Sequence, residues 1–216
     1  MHGPTMIALG AALLAGCAPA GAPEPPAPAA PASAPQAMTP VAASPAARFF
    51  AALEPHCGKA YAGRVVSSDP ADADFAAAPL VMHVAACSSA VIHIPFHVGD
   101  DRSRTWVLRR VGDDRLQLKH DHRHEDGSPD AVTMYGGIST APGTPGRQEF
   151  PVDGESVALF QREGLDASVT NVWALELGPR RFAYELRRPS GRFFRAEFDL
   201  TRPLAPPPPP WGWEAD

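Results

Sequence analysis

Three successive segments near the C-terminus alternate apolar and polar side chains with a period of two. Trp173, Leu175 and Leu177 alternate with Val172, Ala174 and Glu176; Phe182, Tyr184 and Leu186 with Arg181, Ala183, Glu185 and Arg187; Phe194, Ala196, Phe198 and Leu200 with Arg195, Glu197 and Asp199. Gly178-Pro179 and Pro189-Ser190-Gly191 separate them. Successive side chains of a strand face opposite ways, so the pattern specifies half-buried strands joined by tight turns, an antiparallel meander with one wet face. On that face Glu185 and Arg195 stand where opposite charges pair across neighbouring strands.

The same reading extends upstream. Apolar or alternating runs predict strands over 80–86, 91–98, 105–111, 116–122, 131–135 and 148–152, with Ser88-Ser89 and Gly112-Asp113-Asp114 as turns. Tyr135-Gly136-Gly137 marks a sharp bend or bulge, where two missing Cβ atoms permit it. One short helix precedes the strands. Ser44-Pro45 supplies its cap and first residue, Phe49, Phe50 and Leu53 its apolar stripe, and Pro55 and Gly58 its end. Asp69-Pro70 starts a further short turn. The expected fold is mainly β, a meander of about eight strands closing into a single barrel, because closure removes exposed strand edges. A two-sheet β-sandwich is the alternative.

The N-terminus has a different character. Residues 6–14 form an apolar run too short to span a bilayer as a helix, and Leu14-Ala15-Gly16-Cys17 closes it. That motif resembles the lipobox of bacterial lipoproteins, although Met1 to Thr5 contains neither Lys nor Arg. The resemblance implies a signal peptide over 1–16, cleavage before Cys17 and lipidation of its sulfur. Two or three acyl chains there suffice for a stable membrane anchor. Ala18 after the cysteine implies the outer membrane, so the expected location is the bacterial cell envelope. Residues 17–46 are nearly all Ala and Pro and read as an extended tether; 47–203 hold the β domain. Residues 204–216 read as a Pro-rich disordered tail, in which prolines 206–210 before Trp211-Gly212-Trp213 form a rod able to dock on an aromatic groove.

All 19 basic residues, and all of the 24 acidic ones except Glu24, Glu214 and Asp216, fall within 47–203. That near-balance excludes nucleic acid as a partner, which selects a basic face. With Cys17 acylated, Cys57 and Cys87 remain, and in an oxidising envelope they are expected to form a disulfide worth about 3–4 kcal/mol. Two free buried thiols are the alternative.

One stretch carries chemical content. In a strand continued from Leu116, the residues Leu118, His120, His122 and His124 share the core-facing side. Same-face neighbours lie about 7 Å apart, so two imidazoles reach one ion, whereas the outer pair stands roughly 13 Å apart. A complete site for Zn²⁺ or Cu²⁺ therefore needs a bulge or a distant ligand such as His93, His97 or Glu125. Otherwise His120, His122 and His124 form a polar lip to the core, satisfied by Asp121, Glu125, Asp126, Asp130 and nearby arginines, or line a ligand site. The chain contains no Gly-x-Ser-x-Gly, His-Glu-x-x-His, Cys-x-x-Cys or phosphate-loop motif.

Gly58-Lys59-Ala60-Tyr61-Ala62-Gly63 is similar to the glycine–aromatic start of calycin barrels, the lipocalins and their relatives. The blocks running from Ile94 to Trp106 and from His120 to Gly127, with the Arg-rich meander, resemble a group of bacterial secreted proteins of no known activity. That likeness implies no functional residues. The expectation is a lipid-anchored envelope protein that binds a small ligand or an envelope partner at the barrel mouth, near His120, His122 and His124, without a cofactor. The alternatives are a metal-binding protein or hydrolase using the same histidines, and an interaction module acting through the Pro-Trp tail.

Overall fold

The structure, a computed structural model, describes Gly21 and residues 43–213. The lipobox with Cys17 lies outside the described residues, as do most of the tether and residues 214–216.

Ten strands follow one another around a single antiparallel sheet. They are β1 (Ala60–Val65), β2 (Leu80–His83), β4 (Val91–Val98), β5 (Asp101–Val111), β6 (Arg115–His122), β7 (Tyr135–Ile138), β8 (Arg147–Pro151), β9 (Val172–Leu177), β10 (Arg181–Arg187) and β11 (Phe193–Leu204), with the two-residue β3 (Ala86–Cys87) added beside β4. The sheet order β7-β6-β5-β4-β2-β1-β11-β10-β9-β8 makes nearly every strand a neighbour of the next in sequence. Pairing of β1 with β11 brings the two ends of the meander together. Only the join of β7 to β8 remains, and a single bridge from Gly137 to Val152 spans it. The result is the expected mainly β, barrel-like fold, nearly closed.

The seam explains the glycine pair. A Cβ on Gly136 would collide with the Leu118 carbonyl, and one on Gly137 with the Pro151 carbonyl. These glycines admit close backbone approach within a short strand rather than forming a bend. The strand expected over 131–135 accordingly falls at Tyr135–Ile138. The Asp130 side chain instead accepts from Val132 N at 2.8 Å and folds the approach into a turn.

The two ends of the barrel differ. At one, helix α1 (Pro45–Leu53) buries Phe49, Phe50 and Leu53 in the core and contacts β6, β8 and β9. Its start is as expected: the Ser44 hydroxyl accepts from Ala47 N at 3.1 Å and Pro45 opens the first turn. Cys57 and Cys87 meet near that end at disulfide distance, with Cα atoms 6.2 Å apart. At the other end the connections are longer and helical. Helix α2 (Ala73–Ala77) follows a 3-10 turn at Pro70–Asp72 that begins at Asp69, and helix α3 (Gly154–Arg162) is followed by a 3-10 segment at Asp166–Thr170. Neither α2 nor α3 is expected from apolar spacing, since α2 buries no residue and α3 only Ser156 and Phe160.

Beyond β11 the chain is not a loose tail. Trp211 N donates to the Arg102 carbonyl at 3.1 Å, and Arg102 Nη1 donates to the Pro209 carbonyl at 3.1 Å. Gly212 packs against Gly127, and the Trp213 ring meets His93 edge-on at 5.6 Å. The Pro-rich end, expected to be disordered, is thus placed as a strap through residue 213. Its prolines dock on the protein's own sheet, where a preformed extended backbone loses little entropy.

On the wet face of β8–β11 the charges interlock. Arg195 pairs with Glu185, with Glu176 at 2.7 Å and with Glu197 at 2.9 Å; Arg147 pairs with Glu176, with Glu185 at 2.7 Å and with Glu149 at 2.9 Å. Glu185 stands directly across from Arg195 in the sheet register, as the alternation requires.

Candidate functional site

The helical end of the barrel is hollow. A partly open cleft of about 280 Å³ lies there between strand side chains and the connections carrying Phe75, Leu165, Ser168 and Asn171. Its wall is aromatic. Trp106 of β5 stacks on Phe96 of β4 at 4.8 Å and on Tyr184 of β10 at 4.5 Å, with ring planes within 17° and 11° of parallel. Phe75 closes the rim against Phe194 at 5.5 Å, and the Arg104 guanidinium lies 5.3 Å above its ring.

His120 is part of that wall and fully partnered. Its Nδ1 lies 3.1 Å from the Tyr135 carbonyl and its Nε2 2.9 Å from the Tyr184 hydroxyl. A carbonyl can only accept, so Nδ1 carries the proton and Nε2 accepts from the tyrosine. The ring stacks on Tyr135 at 4.7 Å. Burial holds its pKa well below the ordinary value, at about 4, so the imidazole is neutral. The same burial raises the Tyr184 hydroxyl well above its usual range, so it remains a donor.

His122 ends β6 at the cavity edge. Its Nε2 is 3.2 Å from the Ser103 hydroxyl and its Nδ1 3.3 Å from Asp130 Oδ2. Serine, imidazole and carboxylate thus stand in nucleophile–base–acid order. The surroundings do not suit acyl transfer. Ser103 is only 6% exposed and lines no described cavity, and its own N–H is committed to Asp101 Oδ1 at 2.9 Å instead of facing an oxyanion. The trio ties the start of β5 to the end of β6 and to the loop after it.

His124 lies past the strand end and is exposed. The three histidines expected to share a face therefore do not converge. One is sealed in the wall, one is held by Ser103 and Asp130, and one faces solvent. Among the described residues no group of three or more His, Cys, Asp or Glu side chains is placed to hold a metal ion. The strand ends because the chain turns at 124–128, where His124 N donates to the Ser128 carbonyl at 2.9 Å. Nor do His93 and His97 complete the ladder. His93 meets Trp213 on the strap side, and His97 is buried with its pKa lowered to about 4, chiefly by desolvation.

The cations of the rim are what sequence reasoning missed. Arg192 is held by Asp72 and by Asp69 at 3.1 Å, and Arg104 by Asp101. Arg188 is different. Its Nε donates to Asn171 Oδ1 at 2.6 Å and its Nη2 to Ser168 Oγ at 3.1 Å, both neutral acceptors. Desolvation and the neighbouring Arg192 lower its pKa, although a guanidinium stays charged at any physiological pH.

No family model, curated protein or solved structure matches this chain. The chemistry of the cavity accordingly rests on the geometry just described.

Proposed function

We propose that the protein is a lipid-anchored component of the bacterial cell envelope that holds a small, largely apolar molecule in the mouth of its barrel-like domain. The cavity carries this reading. It is concave, aromatic-walled, preformed and furnished with a few polar groups at the rim, the arrangement typical of a small-molecule site. Its volume of about 280 Å³ suits a compact ligand rather than a long chain. The anchoring half of the proposal rests on the Leu14-Ala15-Gly16-Cys17 motif and the Ala/Pro tether. A cysteine pair at disulfide distance is consistent with an oxidising compartment.

The test is titration of the full chain, carrying Cys17→Ser to keep it free of acyl groups, with the neutral fluorescent probe N-phenyl-1-naphthylamine. Trp106 and Trp173 line the cavity and serve as energy-transfer donors. The expected result is saturable, one-to-one emission that is lost in Leu186→Trp, which fills the cavity, while circular dichroism is unchanged. Probe emission that never saturates, or that is indifferent to Leu186→Trp, rejects a ligand site there.

A further inference from the structure

We infer that the ligand is an aromatic carboxylate, its acid group seated end-on against Nη1 and Nη2 of Arg188 and its ring lying on the Trp106–Tyr184 wall. This deepens the ligand-binding reading and rests on it.

The head group follows from charge accounting around the rim. Three arginines line the cavity, and two of them have carboxylate partners in the fold. Arg188 has none within ion-pair distance among the described residues. It is half-buried beside Arg192 and held only by an amide oxygen and a hydroxyl. A partly desolvated cation without a counter-ion is disfavoured, and the fold retains this one in a fixed orientation. A guanidinium has five N–H donors. The bonds to Asn171 and Ser168 engage the Nε–Nη2 edge and leave the Nη1–Nη2 end free. A carboxylate fits that end with two parallel charge-assisted hydrogen bonds, which a neutral amide cannot match.

The body follows from the wall. Trp106, Tyr184 and Phe96 spend their faces on one another but all line the cavity, so the wall they give it is aromatic and apolar and matches a rigid apolar ring rather than a polar one. Two acids line the cavity and both are engaged, Asp72 by Arg192 and Asp121 by Arg123 at 3.0 Å, so neither opposes an incoming anion as a free charge.

Two probes separate the parts of the inference. 2-Naphthoate and 2-naphthamide share one aromatic body and differ in the charge of the head. Both are titrated into the full-length Cys17→Ser chain by calorimetry at low salt. The expected preference for naphthoate is at least tenfold. In Arg188→Met naphthoate should fall to within twofold of naphthamide. Arg188→Lys, which keeps the charge and loses the fork, should reduce the preference at least threefold and decides the matter should Arg188→Met lose its fold. Naphthamide binding without a naphthoate preference, or a preference that survives both substitutions, overturns the head-group inference and leaves the ligand site standing. Binding of neither compound, together with failure of the neutral fluorescent probe, brings down both.

Discussion

At the scale of single residues, His120 shows how burial converts a titratable side chain into a structural one. Its two ring nitrogens bridge Tyr135 and Tyr184, and burial keeps its pKa near 4. The unfolded chain takes up a proton near the ordinary value of 6.5 while the folded chain resists it. The contribution to stability is therefore complete above about pH 6.5 and is lost as the pH falls through about 4. For His120 that loss is on the order of 3 kcal/mol. Comparing wild type with His120→Gln by denaturant unfolding from pH 7 to pH 4 should show the gap between them shrinking by about that amount. Parallel pH profiles would show that the imidazole does not titrate as placed. Alternation along 116–122 put His120 on the core face, where it lies. Its partners come from two other strands and carry no local signal. Arg188 was illegible for the same reason, since its meaning depends on Ser168 and Asn171 in a connection without periodicity.

At the scale of elements, the strands were the legible part. The alternation locates β9 and β10 to the residue, because a half-buried strand must repeat every two positions, and the apolar run over 91–98 does the same for β4. Helix α3 escaped it, since a helix with two buried residues leaves no stripe to find. Its end signals were nonetheless present: Asp153 accepts from Ser156 N, Glu155 sits in the first turn and Arg162 in the last. The seam between β7 and β8 is the weakest join in the sheet and depends on absent side chains. Gly137→Ala would drive a Cβ into the Pro151 carbonyl and should cost about 3 kcal/mol by forcing the strands apart. Gly154→Ala meets nothing within 4 Å and lies in the first turn of α3, so it should be neutral or stabilise by up to about 1 kcal/mol. Chemical denaturation of the two variants checks the contrast. Equal effects would mean that the seam does not limit the barrel.

At the scale of the whole molecule, both ends of the β domain are tied back to it: the segment before β1 through Cys57 to Cys87, and the segment after β11 through the strap. The strap had a sequence signature, five prolines and two tryptophans, but its docking face did not, because that face is assembled from residues such as His93, Arg102 and Gly127 on separate strands and turns. Pro210 is buried, and Trp211 is partly covered with its indole N–H enclosed. Covering such side chains is worth about 2–3 kcal/mol. Ending the chain at Leu204 should therefore lower the melting temperature by roughly 5–10 °C for a domain of this size. The strap residues do not line the aromatic cavity, so affinity for N-phenyl-1-naphthylamine should be unchanged in the shortened protein. The two readouts separate a stabilising clamp from a gate. A lower melting temperature with constant affinity identifies a clamp. An unchanged melting temperature would show that the strap contributes nothing to the fold, and altered affinity would couple the outer face of the sheet to the cavity within.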